Sequence, residues 1–233
     1  MKIAYWSDYA CPYCFIGVTN LRRALRELGL EGTVPVRRMA YELDPAADRA
    51  CTMTALERHR KKYRLSEAEA LDRIEEIDRM GAETGLTLRF GETRYTNTLD
   101  AHRLVKLAEE TLGLPAADRL SERFYRTFFE GKELSDRETL RAAAAEAGLD
   151  PAETEAVLDS DRFEFEVRMD ERRAERSGVR SVPFFVFNDR FAVPGALPPA
   201  GMKALLEDLL AEEGPAEPPA AACGPDGCGT GED

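Results

Sequence analysis

Cys11-Pro12-Tyr13-Cys14 sets two thiols three residues apart near the start of the chain. A thiolate at one position can attack a disulfide, and the thiol at the other can resolve the mixed disulfide that forms. Two cysteines at this spacing are also half of a zinc site, or simply two ordinary thiols. The setting favours redox chemistry. Lys2-Ile3-Ala4-Tyr5-Trp6 is short and rich in strand formers, and Phe15, Val18, Leu21, Leu25 and Leu28 then recur in steps of three and four. Gly29 follows where a helix-ending glycine belongs. The dithiol therefore sits where a strand hands over to a helix N-terminus. With Cys11 as N-cap, the free N–H groups of the first turn and the positive end of the helix dipole stabilise its thiolate. Pro12 falls at the first helical position, where its missing N–H costs nothing. Cys14 falls on the same face as Cys11, within reach of it. This spacing predicts an exposed attacking sulfur and a more buried resolving one.

The elements around the pair read in a definite order. Thr33 to Leu43 alternates loosely and predicts a second strand parallel to the first, with Pro35 at its beginning. From about Thr52 to Ser177 the pattern is mostly helical. Met53, Leu56, Arg60 and Tyr63 share one helical face. Ser66-Glu67-Ala68-Glu69 is a capping box ahead of an apolar stripe of Leu71, Ile74, Ile77 and Met80. Leu86 to Phe90 could be extended. Helices follow over Thr98 to Leu112, around Leu120, Phe124 and Phe128, after Ser135-Asp136, after Asp150-Pro151, and over Arg162 to Ser177. Ser181 to Phe187 and Arg190 to Val193 predict a hairpin turning at Asn188-Asp189, and Pro199 to Leu210 a final helix. The order β-α-β, helices, β-β-α points to an α/β fold, a mixed sheet with a large all-helical insertion.

Composition narrows the chemistry. The 233 residues are 43% hydrophobic, enough for a proper core, and the net charge of −12 argues against nucleic acid and against anionic membrane surfaces. Neither a glycine-rich dinucleotide fingerprint nor a Walker-type loop is present, so nucleotide binding has no support. Met1-Lys2 runs directly into a strand without an apolar leader, and no apolar run approaches membrane-spanning length. A cytoplasmic location is expected, where cysteine pairs are catalytic, sensing or metal-binding more than structural. The two histidines, His59 and His102, are far apart in sequence, which disfavours a histidine-rich metal site or a serine-type triad.

The segment Ser7 to Cys14, followed by helices and then by Gly178-Val179-Arg180-Ser181-Val182-Pro183-Phe184, resembles the DsbA-type branch of the thioredoxin superfamily. Asn97-Thr98-Leu99-Asp100-Ala101-His102-Arg103-Leu104 and Phe191 to Ala196 resemble the cytosolic FrnE subgroup, itself similar to the 2-hydroxychromene-2-carboxylate isomerases. The likeness covers about residues 1 to 212. It implies a thioredoxin-like domain over 1–50 and 178–212, a helical insertion over 51–177, and a separate tail over 213–233. It further implies that Pro183 is cis and packs against the dithiol, with Val182 offering its backbone to a substrate; an edge-strand or turn proline is the plain alternative. Pro12, Tyr13 and Asn97 join the implied substrate-binding set, although Asn97 and His102 could equally cap or decorate a helix. Two departures matter. Tyr13 stands where strongly oxidising DsbA proteins have His, so no positive charge sits beside the thiolate, which implies a weaker oxidant. The isomerase branch resembles a serine site acting on a glutathione adduct, whereas both positions here are cysteine.

From Glu212 the composition turns to Pro and Ala and ends in Cys223-Gly-Pro-Asp-Gly-Cys228. An extended linker from 212 to 223 reaches roughly 35 Å at ~3.3 Å per residue, enough to approach Cys11. The tail pair is thus a candidate auxiliary redox dithiol exchanging with Cys11 and Cys14; a four-thiolate zinc site and two idle cysteines are the alternatives. Cys51 reads as a lone thiol.

The expected function is a cytosolic thiol-disulfide oxidoreductase or disulfide isomerase in which Cys11 attacks, Cys14 resolves, and Pro183 with Val182 positions the substrate. A glutathione-dependent isomerase or transferase on small molecules, and a zinc-binding interaction protein, are the competing readings. No metal and no resident cofactor are expected, with glutathione as a candidate co-substrate. Expected partners are disulfide-containing proteins or small thiols and a thioredoxin- or glutathione-type reductant, for a monomer or homodimer that binds neither nucleic acid nor membrane.

Overall fold

The structure, a computed structural model, describes residues 1–48 and 53–213. The expectations for Cys51 and for the tail pair Cys223 and Cys228 lie outside those residues.

Four strands form one mixed sheet in the order β2-β1-β3-β4. Strand β1 (Ile3–Ser7) runs parallel to β2 (Val36–Ala40) and antiparallel to β3 (Phe184–Phe187), which pairs antiparallel with β4 (Phe191–Pro194). Alternation along the strands splits the core in two. Ile3 and Tyr5 of β1 join Phe185 and Phe187 of β3 on one face, covered by helices α1 (Pro12–Glu27) and α9 (Pro199–Glu213). Trp6 and Met39 point to the other face, where helices that follow β2 complete a second apolar cluster.

Those helices are α2 (Ala55–Tyr63), α3 (Glu67–Glu83), α4 (Leu99–Leu112), α5 (Leu114–Phe129), α6 (Arg137–Ala147), α7 (Pro151–Leu158) and α8 (Glu164–Arg176). Their starts follow the capping chemistry in the sequence. Thr54 and Ser66 close capping boxes with Glu57 and Glu69, and the Asp136 and Asp150 carboxylates accept first-turn N–H groups. Helix α8 packs on the edge strand β2, where Asp170 accepts the Ala40 N–H at 3.1 Å. The Trp6 indole donates to the Asp170 carbonyl at 2.9 Å, and Lys106 of α4 lies 2.6 Å from the same carboxylate. Asp170 thus ties β1, β2 and α4 together at the edge of the sheet, satisfying an edge N–H that would otherwise be orphaned.

Three local expectations are corrected. Leu86 to Phe90 is no strand: Leu86, Leu88 and Phe90 alternate inward, but they line a loop packed over α3 and lead into a single 3-10 turn at Phe90–Glu92. A Cβ on Gly81 would lie 2.7 Å from Leu88, so the absent side chain is what lets this loop press onto the helix. The inward stripe of α3 is Ala70, Ile74, Ile77 and Gly81, and Leu71 faces outward. Small residues carry that face because the loop lies so close. The attacking thiol also differs from expectation. Cys11 is buried rather than exposed, at 4% of its surface against 0% for Cys14, because Val182 closes over it.

Candidate functional site

Strand β1 ends at Ser7 and the chain turns through Asp8, Tyr9 and Ala10 into α1. Cys11 is the N-cap of that helix with extended backbone angles, and Pro12 is its first residue. The Cys11 carbonyl accepts the N–H groups of Cys14 and Phe15, so the first helical turn closes around the pair. The sulfur of Cys11 therefore sits at the positive end of a 16-residue helix.

The other half of the site comes from 171 residues away in sequence. The Val182–Pro183 peptide bond is cis, and the Val182 carbonyl lies 3.5 Å from Cys11 Sγ as its hydrogen-bond acceptor. Pro183 leads directly into β3, whose pairing with β1 brings it beside the helix. Gly17 makes this approach feasible: a Cβ there would meet Pro183 Cγ at 3.1 Å and the Phe185 ring at 3.2 Å. Its signal in the sequence is a glycine one turn beyond Cys14, on a helix face otherwise apolar.

Cys14 lies behind Cys11, fully buried, with the Asp8 N–H donating to its sulfur at 3.5 Å. Burial, and then its hydrogen bond to Cys11, push the Cys14 thiol well above its ordinary value. Beneath the pair, the buried Asp8 carboxylate accepts the Leu43 N–H at 2.7 Å and the Ala10 N–H at 3.3 Å. Its Oδ1 lies 3.8 Å from His102 Nε2, and the His102 ring stacks on Tyr9 with centroids 4.5 Å apart. Sequence reasoning assigned Asp8 no role. Its signal was a carboxylate three residues before the first cysteine in a turn otherwise apolar.

A cleft of about 340 Å³ opens onto Cys11. Pro12, Tyr13 and Val182 line it, as expected. It also takes residues the sequence did not single out: Arg58, His59 and Lys62 of α2, Tyr95, and Arg180. The Arg58 guanidinium lies over the Tyr95 ring at 3.4 Å from its centroid and pairs with Asp44 at 3.0 Å. Burial raises the Tyr95 hydroxyl, with Asp8 adding to the effect. Asn97 is not part of this cleft wall. Its Oδ1 accepts the Leu99 N–H at 2.9 Å at the start of α4, and its amide donates to Glu42 at 3.4 Å. His102 likewise sits behind the dithiol rather than in the cleft. Among the described residues, no group of three or more His, Cys, Asp or Glu side chains is placed to hold a metal ion. Among the same residues, no helix is long and apolar enough to cross a membrane.

A Cys-x-x-Cys pair at a strand-to-helix junction, facing a cis-proline at the start of a neighbouring antiparallel strand, defines a protein of thioredoxin architecture. The helices between β2 and β3 specify the branch. The sequence profile of the DsbA-like thioredoxin domain matches residues 2–207, and the chain belongs to that family. It is similar to the crystal structure of the probable DsbA oxidoreductase SCO1869 from Streptomyces coelicolor, 34% identical with all of both chains covered and a TM-score of 0.84. The fold is shared with the cytosolic disulfide reductase DsbM from Pseudomonas aeruginosa, solved with GSH, at 19% identity and a TM-score of 0.62 over 91% of this chain and all of that one. It is shared too with a 2-hydroxychromene-2-carboxylate isomerase, at 18% identity and a TM-score of 0.63 over 91% of this chain and 96% of that one.

Proposed function

We propose that the chain is a thiol-disulfide oxidoreductase of the FrnE-like subgroup, working in the cytoplasm through Cys11 and Cys14. One observation carries this reading: Cys11 is the N-cap residue of α1 and its sulfur faces the Val182 carbonyl at 3.5 Å beside cis-Pro183, with a second buried thiol three residues on. The first step breaks the substrate S–S bond and forms one between Cys11 and a substrate sulfur; the displaced thiolate takes up a proton. In the second, Cys14 gives up its proton and attacks Cys11, forming the Cys11–Cys14 disulfide and releasing the second substrate thiol. The dithiol loses two electrons and the substrate disulfide gains them. In the opposite direction the enzyme disulfide is reduced and two substrate thiols are joined. Val182 supplies a backbone carbonyl at the reacting sulfur, and Pro12 and Tyr13 form the adjoining wall. The cytosolic placement of DsbM supports the same compartment. A thioredoxin- or glutathione-type reductant would restore the dithiol, and Cys223 with Cys228 would relay electrons to it at high effective concentration.

A redox titration in glutathione buffers, with mass spectrometry of each cysteine, tests the reading. A reversible Cys11–Cys14 disulfide is the expected result. Thiols that never pair, or a glutathione adduct confined to Cys11, would favour the second reading, a glutathione-dependent isomerase acting on small molecules in the cleft. Replacing Cys223 and Cys228 by Ser should slow recycling of the dithiol if the relay operates. Unchanged recycling removes the relay.

A further inference from the structure

The cleft over Cys11 has a charge unlike the rest of the protein. The chain carries 44 Asp and Glu against 32 Lys and Arg, yet among the described residues no Asp or Glu lines this cleft. Its charged lining is Arg58, Lys62 and Arg180. Arg58 is held in place by Asp44 and by the Tyr95 ring, so part of its charge is already answered. Lys62 and Arg180 are exposed and form no ion pair with a carboxylate among the described residues. They come from different elements, one from α2 and one from the segment leading to Val182. Phe90, Tyr13, Tyr63 and Tyr95 give the same cleft aromatic walls. Such walls concentrate the field of nearby charges more than open solvent does. His59, inside the cleft, registers that field. Burial lowers its pKa first, and the charges that lower it further are Arg73, Lys62 and Arg58. The acidic side chains at the margin are Asp44, taken up by Arg58, and Glu76, which faces Tyr13 and lies 3.9 Å from Arg79.

We propose that this cleft selects disulfides carrying a carboxylate within a few bonds of the sulfur, with Lys62 and Arg180 as the specificity-determining cations and Arg58 as a fixed anchor beside them. The proposal rests on the oxidoreductase reading and names its substrate class. An anionic disulfide approaching Cys11 meets two unanswered positive charges and no opposing carboxylate in the cleft wall. A cationic one meets like charge. A small thiol and an acidic residue flanking a protein disulfide both supply such a carboxylate, and the cleft reads the same group in both.

The test measures the rate at which three aliphatic disulfides oxidise the reduced, full-length protein, by quenched alkylation and mass spectrometry of Cys11 and Cys14. The probes are 3,3'-dithiodipropionate (anionic), bis(2-hydroxyethyl) disulfide (neutral) and cystamine (cationic). Intrinsic reactivities differ, so the reading is the anionic-to-neutral rate ratio, compared between the native protein and Lys62→Gln with Arg180→Gln. A fall of about fivefold in that ratio is expected, with a rise in the cationic-to-neutral ratio. About 1 M salt, where the screening length is roughly 3 Å, should produce a similar fall in the native protein. Lys2→Gln with Lys203→Gln makes the same change in net charge at the far end of the molecule and should leave the ratio unaltered. A peptide disulfide flanked by Glu separates the two sources: sensitivity to the Lys62 and Arg180 changes confined to dithiodipropionate assigns the carboxylate to a small thiol, and sensitivity of both admits a protein strand. Oxidation by all three probes with an anionic-to-neutral ratio that the cleft variant leaves intact, or that the distant variant lowers equally, overturns this proposal alone. A dithiol that none of the three oxidises overturns the oxidoreductase reading and this one with it.

Discussion

The two ends of α1 each border a cavity, and the larger is the less chemical. At the N-terminal end the cleft of about 340 Å³ is lined, among the described residues, by a thiol and three basic side chains and by no acid. At the C-terminal end a groove of about 640 Å³ runs past Leu21 and Leu25 to Leu114 of α5. Some of its charges answer one another, and Arg26, Glu31 and Arg119 line it as well. Arg22 pairs with Glu122 at 3.0 Å and with Asp118 at 3.8 Å, and Arg38 holds Asp118 from below at 2.7 Å. Among the described residues no cysteine lines this groove, and a thiolate there would face the negative end of the helix dipole. Volume alone would point to the wrong end of the helix. Helix polarity and a nucleophile together distinguish the two.

That contrast can be broken most directly at the thiol. Cys11→Ser should reduce thiol-disulfide exchange by at least about a thousandfold in a rate assay with a neutral disulfide. Residual exchange near the native rate would mean another cysteine does the work. At the opposite end, Arg38→Ala should cost roughly 3 kcal/mol in denaturant unfolding, because it leaves Asp118 and Glu109 facing a buried hole. The lower part of the range for buried pairs applies, since Asp118 stays half-exposed. Exchange measured below the unfolding transition should stay close to native. A comparable fall in exchange would show the two ends to be coupled.

Gly17 lies between the two ends, and Gly17→Val should affect both properties. Its side chain would drive α1 from Pro183 and Phe185, costing about 1–3 kcal/mol and moving Val182 from the Cys11 sulfur. Unfolding curves and exchange rates should fall together. Normal exchange in a destabilised variant would mean that the approach of Pro183 is structural only.

Buried Cys14 gives a pH signature confined to the dithiol end. Its folded pKa is raised, so the stabilisation is complete below the unfolded value of about 8.5 and is lost as pH rises above it. Between pH ~8.5 and 10 the unfolded chain releases this proton while the native protein keeps it. The reduced protein should therefore lose up to about 1.4 kcal/mol per pH unit relative to the Cys11–Cys14 disulfide form. Parallel pH profiles for the two forms in urea titrations would refute this. The smallest effect belongs to the groove: Arg22→Gln should change stability by less than about 1 kcal/mol and exchange not at all.

Much of this was legible along the chain. The strand before Cys11, Cys11 as N-cap, Pro12 in the first turn and the capping box at Ser66 depend on a few adjacent residues. The sequence was least reliable where local pattern and packing disagreed. Leu86, Leu88 and Phe90 alternate as a strand would, yet have no ladder partner, and Leu71 fits a helical stripe whose inward position goes to Ala70. Asn97 matches a family motif, but its polar atoms go to the α4 N-terminus and Glu42.

The sequence by itself determined the dithiol, its place at a helix N-terminus, and the order of strands and helices, since backbone sterics and capping hydrogen bonds act within a few residues. Only the tertiary structure decided what faces Cys11. Val182 is 171 residues away, and Arg58 finds Tyr95 across the cleft. Those encounters are set by how β1 pairs with β3 and how α2 packs against α3 and the turn at Phe90–Glu92, because burying the two apolar faces fixes side chains that no local rule relates.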